Sequence, residues 1–378
     1  MLGKKMLRTA WSYKAQFISM TLMVMLGIGM FVGFNMEWAS IENNMFSFFD
    51  DSHFADYRLV NVKGYSEDDL EKISDIDGVE AASRFLTVNV DVKDKDGDSV
   101  ALAVTTDFDV SSFVLIEGEA YDQDSADGIW LSDQYAAKNG ISVGDSLSFT
   151  YRNTEIAGKV KGLIKAAEQM ICVRDKTQLM PDFSTHGYAY ISPVLYESAV
   201  GFGYYPQINV ISDLDKDVFS EKVNRALGQT TVILTKEETL SYSQAGGEVN
   251  EGKAMGSILP ALFLLIGLLT MVTTMHRLTA KEKTQIGTLK ALGFHDSKII
   301  RHYTSFAFLV AIVGTALGIG MGYAVAWVIM NPNGMMGTYL DLPEWRLVFP
   351  WFCTLAVVLI VLLLTLIGFL SVRQMLAG

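Results

Sequence analysis

The sequence predicts an α+β membrane protein with four transmembrane helices and a large extracytoplasmic α+β domain between the first and the second. Two observations predict this fold class. Half of the 378 residues are hydrophobic, and many of them gather into four uncharged runs that each reach the ~20 residues needed to cross a bilayer. Residues 37–253, between the first two runs, are numerous enough to bury a core of their own.

The four runs also set the predicted topology. Residues 1–14 carry four Lys and Arg and no acid, and the loop 276–302 is basic as well. The positive-inside rule therefore places both termini and this loop in the cytoplasm. The runs cover residues 15–36, 254–275, 303–330 and 347–372, the outer parts are residues 37–253 and the short loop 331–346, and the cytoplasmic tail is residues 373–378.

The first run fits both a membrane anchor and a signal peptide. The run is longer than a usual signal core, and no cleavage site of small residues is evident around residues 35–40, so the sequence favours an anchor. After Glu37 the apolar positions continue at helical spacing, which predicts that the first helix extends beyond the membrane as a stalk. These positions are Trp38, Ile41, Met45 and Phe48.

The outer segment is strongly acidic. Residues 37–253 hold 18 Lys and Arg against 38 Asp and Glu, a formal charge of −20, whereas the whole chain carries −12. The remaining residues are therefore positive, as the predicted topology requires. An acidic outer surface argues against nucleic acid as a partner.

A strand–helix–strand pattern recurs near each end of the outer segment. The first pattern spans residues 57–92, with Ser66 as the helix N-cap and Gly78 closing the helix. The second spans residues 206–238, with Gly228 in the same closing position.

An acidic cluster at the end of the first pattern is compatible with a calcium loop or a hairpin. It contains four aspartates, Asp91, Asp94, Asp96 and Asp98. An EF-hand register would need an oxygen ligand at Val92 and a glutamate at Ala103, and neither is present. Because polar and apolar residues alternate on both sides of Asp96-Gly97, the sequence favours a hairpin.

The loop between the second and third runs has the pattern of a docking element. Between Arg277 and Tyr303 it carries six Lys and Arg against Glu282 and Asp296. Its apolar residues have the spacing of one helical stripe that breaks near Gly293. They are Ile286, Leu289, Leu292, Ile299 and Ile300. An amphipathic segment between two membrane helices predicts that something cytosolic docks against it.

The motif IGTLKALGF, residues 286–294, resembles the signature loop of the FtsX-like, or MacB-type, permeases of ABC transporters. In that family the loop caps the second membrane helix and contacts an ATPase. The resemblance implies an ATPase-coupling site at Gln285, Ile286, Gly287, Leu289, Lys290, Leu292, Gly293 and Phe294. The usual pattern has Glu where this chain has Gln285, so no ionic contact to the ATPase is expected there. The family pattern continues past the last helix into a Pro-x-Glu-Ala box that this chain lacks, so either the tail is shortened or the chain is half of a longer permease.

The same resemblance implies the architecture of the outer domain and the location of the protein. The two strand–helix–strand patterns bracket an insert near residues 106–190. This arrangement resembles the split ferredoxin-like porter part, plus an inserted β-rich part, of a MacB-type periplasmic domain. The expected location is a bacterial cell (inner) membrane.

Small residues recur at four-residue spacing in two of the predicted membrane helices. Gly29 and Gly33 lie in the first, and Gly314, Gly318 and Gly322 lie in the third. Such spacing allows helix backbones to approach closely in lipid. Packing within the subunit and a dimer seam are both open, and the resemblance implies that the first helix faces its counterpart in a second subunit.

No constellation in the sequence predicts catalysis or a metal site. The five histidines share no metal-ligand spacing, and no G-x-x-x-x-G-K-[ST] loop is present to hold nucleotide phosphates. We expect that the chain is not an enzyme and that it binds no cofactor itself. The resemblance implies a separate ATPase subunit that binds ATP and Mg²⁺, and a second permease copy or a sister permease.

The predicted function is transmission of motion to the outer domain. The four runs contain no Asp, Glu, Lys or Arg, which argues against an ion or polar-solute channel. Export or extraction of peptides, lipoproteins or amphiphilic drugs is the favoured outcome, with membrane lipid and an outer-surface or periplasmic protein as further partners. The alternatives are a signalling subunit that regulates a cell-wall hydrolase or senses antimicrobial peptides, and a passive binding module, which would leave the basic loop unexplained.

Overall fold

The structure is a computed structural model that describes residue 11, residues 13–175 and residues 177–377, with side chains as far as Gln374. The chain divides into two units. The helical unit contains the residues up to Ile41, Glu248–Asn331 and the residues from Arg346 onwards. The α+β unit contains Glu42–Gly247 and Pro332–Trp345.

The described residues form ten strands and ten α-helices. The helices are α1 Lys14–Asp51, α2 Glu67–Ser74, α3 Asp133–Asn139, α4 Pro193–Val200, α5 Lys216–Leu227, α6 Leu240–Lys281, α7 Lys283–Ala291, α8 Asp296–Ile329, α9 Met335–Tyr339 and α10 Trp351–Ala377. The strands are β1 Tyr57–Val60, β2 Val79–Val92, β3 Ser99–Thr105, β4 Val114–Gly118, β5 Gly128–Ser132, β6 Ser146–Tyr151, β7 Thr154–Lys165, β8 His186–Ile191, β9 Gln207–Ser212 and β10 Val232–Thr235.

Four of these helices, α1, α6, α8 and α10, are long and apolar enough to cross a membrane. The sequence prediction of four membrane helices with an α+β domain between the first two is confirmed. Helix α1 does not stop at Glu37 but continues to Asp51, as the apolar spacing predicts. Of the positions that carried this prediction, Ile41, Met45 and Phe48 are buried.

The two strand–helix–strand patterns form a ferredoxin-like sheet. They correspond to β1–α2–β2 and β9–α5–β10, and the strands lie in the order β10-β1-β9-β2 with antiparallel neighbours. This is the βαββαβ topology, here split by the residues from β3 to α4. One core lies beneath this sheet, around Leu59, Ile73, Ile208, Phe219 and Val223.

The ends of the two ferredoxin-like helices follow the predicted capping residues with one difference. Ser66 caps α2 through a capping box with Asp69, and Gly228 ends α5 with a left-handed backbone (φ 66°). Gly78 does not end α2, because the helix already ends at Asp75. Gly78 instead forms the turn into β2 with φ 99°.

The inserted part is continuous with the ferredoxin-like sheet. Strand β2 has 14 residues, so its second half extends past β9 and pairs with β3 and β6. The result is one ten-stranded sheet with a second core around Trp130, Tyr135, Tyr188 and Tyr190. The two predicted subdomains are therefore two cores on one sheet.

The acidic cluster forms the predicted hairpin. Strands β2 and β3 are antiparallel, with Asp91 opposite Ser99. Asp94 and Gly97 both adopt positive φ, 63° and 86°, in the turn that joins them. Asp91 is thus a strand residue, and the other three aspartates lie in the turn between the two strands.

Candidate functional site

The segment that joins α6 to α8 is a short helix between two turns. Helix α6 ends at Lys281, α7 runs from Lys283 to Ala291, and α8 begins at Asp296. All eight residues predicted to couple to an ATPase lie between Gln285 and Phe294, in α7 and the turn that follows it. We call residues 282–295 the coupling segment.

A Schellman turn ends α7 and fixes the direction of the chain that follows. The amide of Phe294 donates to the carbonyl of Leu289 at 3.1 Å, and the amide of Gly293 donates to the carbonyl of Lys290 at 3.0 Å. Gly293 has φ 81°, a conformation that is costly for any residue with a Cβ. The predicted break of the helix near Gly293 is confirmed, and its cause is this turn.

The coupling segment has a buried side and an exposed side. Ile286 is buried in the core of the helical unit and Leu289 is half-buried against it. Leu292 is 70% exposed and Phe294 is 38% exposed. The predicted stripe therefore divides where the helix ends, because Leu292 follows the last residue of α7.

The remaining four residues of the predicted site are exposed. Gln285, Gly287, Lys290 and Gly293 all lie on the surface. So do the six Lys and Arg of the surrounding loop, Arg277, Lys281, Lys283, Lys290, Lys298 and Arg301. Two exposed apolar side chains thus lie on a basic surface.

A buried acid attaches the coupling segment to α8. Glu282 is 5% exposed, and its Oε2 accepts a hydrogen bond from the Tyr303 hydroxyl at 2.5 Å. Lys290 makes a second link across the turn, with its Nζ 3.0 Å from Asp296 Oδ1. From the sequence Glu282 counted only as a loop charge, because nothing local indicates that it is buried.

The predicted small-residue positions pack α1 against α8 within the chain. Three glycines of α8 each face one branched side chain of α1, in the pairs Gly314–Val24, Gly318–Ile28 and Gly322–Val32. From the other side, Gly29 and Gly33 face Met321 and Val325. A Cβ placed on Gly318 would lie 2.7 Å from the Cβ of Ile28, so this approach requires glycine.

The structure adds a second glycine pair that the sequence analysis missed. Gly252 and Gly256 on α6 lie against Trp38 and Asn35 on α1. Asn35 is 7% exposed, and its amide donates to the carbonyl of Gly256 at 3.1 Å. The same four-residue spacing could have revealed this pair, but Gly252 precedes the uncharged run.

Within the part of the chain that the structure describes, no three His, Cys, Asp or Glu side chains form a group able to hold a metal ion. The coupling segment is a short amphipathic helix with a fixed turn, buried on one side and exposed on the side that carries its basic residues and Leu292.

The arrangement of the helices and the α+β unit defines a class of protein. Four apolar helices of membrane-spanning length, with an α+β unit between the first two, form a multi-pass membrane protein. The loop between the second and third spans carries six exposed Lys and Arg.

Residues 257–377 match the family model described as FtsX-like permease C-terminal. This match supports the resemblance to the FtsX-like permeases that the motif at residues 286–294 indicates. No curated protein matches the chain.

Two solved structures have weak similarity to it. The extracellular domain of the noncanonic ABC-type transporter YknZ from Gram-positive bacteria is 11% identical, with 48% of this chain and 100% of that chain covered and a TM-score of 0.35. The periplasmic region of MacB from Actinobacillus actinomycetemcomitans is 12% identical, with 54% and 96% covered and a TM-score of 0.35. The family match is therefore confined to residues 257–377.

Proposed function

We propose that this permease couples ATP hydrolysis by a separate cytoplasmic ATPase subunit to movements of its α+β unit. The observation that carries the proposal is the coupling segment, whose buried side is part of the helical core and whose exposed side presents Leu292 and Phe294, in a loop that carries six exposed Lys and Arg. A displacement of this segment must move the helices on which Ile286 and Glu282 are packed. ATP and Mg²⁺ bind in the partner.

The topology that supports this proposal has the coupling segment and both termini in the cytoplasm of a bacterial cell and the α+β unit outside. The basic loop and the acidic segment 37–253 are distributed as the positive-inside rule requires. Because nucleotide sites of such ATPases form between paired subunits, the permease works as a pair, with a second copy or with a sister subunit.

The work done is export or extraction of peptides, lipoproteins or amphiphilic drugs that reach the α+β unit. Two features favour a mechanism in which that unit moves, instead of one in which substrate passes through a channel between the helices. The four predicted membrane runs contain no Asp, Glu, Lys or Arg, and a hydrophilic path normally needs such residues. The α+β unit has two cores and a ten-stranded sheet, enough structure to bind a substrate or an outer partner.

The experiment is affinity purification of the full chain from its native cell in mild detergent, with partners quantified by mass spectrometry. The variant Leu292→Asp places a charge at the centre of the exposed apolar surface. Leu179→Asp is the matched control, because Leu179 is 87% exposed in the α+β unit, far along the chain from the coupling segment. A buried interface residue of this kind contributes about 2 kcal/mol or more, or roughly thirtyfold in affinity.

We expect an ATPase subunit to copurify with the parent chain and with Leu179→Asp, and to be depleted from Leu292→Asp. Recovery of the ATPase at equal levels from all three would place its docking site elsewhere. Absence of any ATPase from all three would refute the proposed function.

A further inference from the structure

The segment between α8 and α10 is folded onto the α+β unit. Residues Pro332–Trp345 belong to that unit, and they contain the short helix α9. Leu340, Asp341 and Leu342 are all at most 2% exposed. From the sequence this segment reads as an ordinary outer loop, so its burial is unexpected. We call residues 332–345 the strap.

Asp341 is the centre of the buried contact. Its carboxylate forms an ion pair with the Lys165 ammonium. Its Oδ2 also accepts from the Tyr188 hydroxyl at 2.5 Å, and its Oδ1 accepts from the Gln134 side-chain amide at 2.8 Å. The main chain is held too, because the Asp341 amide donates to the carbonyl of Met170 at 2.8 Å. Both carboxylate oxygens are therefore bound.

Lys165 needs the strap in order to be buried as a cation. Its side chain is 10% exposed and also lies 3.0 Å from Asp133 Oδ1. Burial alone would lower the pKa of Lys165, but the charges of Asp341 and Asp133 outweigh this and raise it. If Asp341 withdrew, Lys165 would keep only its contact with Asp133, and Tyr188 and Gln134 would lose their bonds to the Asp341 carboxylate, so Asp341 cannot withdraw without cost.

A second contact holds the strap before Asp341. The Gln134 side-chain amide donates to the carbonyl of Gly337 at 3.1 Å. A Cβ on Gly337 would overlap the main chain of Pro332, so the strap can fold this tightly only with glycine at this position. The Tyr339 hydroxyl lies 3.2 Å from Gln244 Oε1. The strap thus binds the rest of the α+β unit from Gly337 to Leu342.

We propose that the strap fastens the connection between α8 and α10 to the α+β unit through the buried ion pair of Asp341 and Lys165. The α+β unit then receives displacements of the membrane helices by this route as well as through α1 and α6, which continue into it along the chain. The fastening stands on the contacts alone, whereas its use in transmission rests on the proposed function.

Hydrogen–deuterium exchange on the full chain in lipid nanodiscs tests the fastening. The variant Lys165→Met removes the cation, and Asp341→Asn removes the charge while keeping the shape of the side chain. Lys161→Met is the matched control on the same strand, because Lys161 pairs with Asp127 at 2.9 Å in a more exposed setting. We expect the amides of residues 336–341 to exchange at least about tenfold faster in both test variants and at the parent rate in the control.

Two results would overturn the fastening. One is unchanged exchange of residues 336–341 in both Lys165→Met and Asp341→Asn. The other is an equal loss of protection in β5 and β8, which would make the cluster part of the core and the strap no separate element.

Transmission is tested by repeating the exchange with the copurified ATPase, with and without ATP. We expect ATP to change hydrogen–deuterium exchange in the α+β unit of the parent and of Lys161→Met. The change should be weaker in Lys165→Met. A change that persists in full in Lys165→Met, or no change in the parent, overturns transmission through the strap. Neither result bears on whether the ATPase docks, which the Leu292→Asp purification decides separately.

Discussion

The segment that connects α6 to α8 and the segment that connects α8 to α10 differ in how far their side chains are buried. The coupling segment exposes Lys283 and Lys290 and the apolar side chains of Leu292 and Phe294. The strap buries Asp341 completely and places Leu340 and Leu342 beside it, out of contact with solvent. The first presents apolar and basic side chains to solvent, whereas the second is packed against its own chain.

The same chemical pair occurs in both places with different consequences. Lys290 and Asp296 form an ion pair whose side chains are 40% and 58% exposed. Lys165 and Asp341 form one whose side chains are 10% and 0% exposed. Water solvates the first pair whether or not it forms, so it contributes little. The second pair has no such alternative, so breaking it leaves a charge without solvent.

The largest expected difference between the two segments comes from removing the lysine of each pair. Lys165→Met should destabilise the α+β unit by about 3–5 kcal/mol, because it removes the cation that pairs with both Asp341 and Asp133 in a buried site. Lys290→Met should cost less than about 1 kcal/mol. Denaturant unfolding of the full chain in detergent, followed by tryptophan fluorescence, measures both. Equal losses for the two variants would remove the contrast between the segments.

A smaller effect is expected from pH, again on the buried side of the comparison. His186, at the start of β8, is 1% exposed and its Nδ1 lies 2.8 Å from Ser99 Oγ. Burial, with the nearby Arg174 charge, lowers the pKa of His186 from 6.5 to about 4. Between these values the unfolded chain binds a proton that the folded chain does not, so stability falls as the pH is lowered. The loss from pH 7 to pH 4 should be about 2–3 kcal/mol.

This pH dependence is measured by denaturant unfolding at a series of pH values. His186→Gln should flatten the profile between pH 6.5 and 4. His295→Gln is the control, because His295 is exposed in the coupling segment, and it should keep the parent's slope. A parent slope that survives in His186→Gln would assign the effect to other groups.

Local patterns in the sequence predicted most of the fold. The four apolar runs, the hairpin at Asp96-Gly97 and the cap at Ser66 each depend on residues within one element or one turn. The prediction for Gly78 was wrong by three residues, because the capping hydrogen bonds of Asp75 end α2 earlier. Element boundaries of this kind depend on details that the spacing of apolar residues does not contain.

The candidate sites show the same division. The coupling segment could be recognised from the sequence because its charges and its apolar stripe occur within one short stretch. The strap is not, because the partners of Asp341 lie at Gln134, Lys165 and Tyr188, more than 150 positions away in the chain. The spacing of Gly314, Gly318 and Gly322 indicated a close approach, but it could not show that Val24, Ile28 and Val32 fill the groove.

The smallest expected effect uses one glycine from each segment. Gly337→Ala in the strap places a methyl group against the main chain of Pro332 and should destabilise the α+β unit by about 1–3 kcal/mol. Gly287→Ala in α7 meets no atom within 4 Å, and alanine favours a helix interior over glycine by roughly 0.5–1 kcal/mol, so this variant should be neutral or slightly stabilised. Denaturant unfolding of the two variants beside the parent gives both signs. The contrast between a segment bound to its own chain and one that faces solvent predicts opposite signs, and a loss at Gly287 as large as at Gly337 would show that α7 is packed as tightly as the strap.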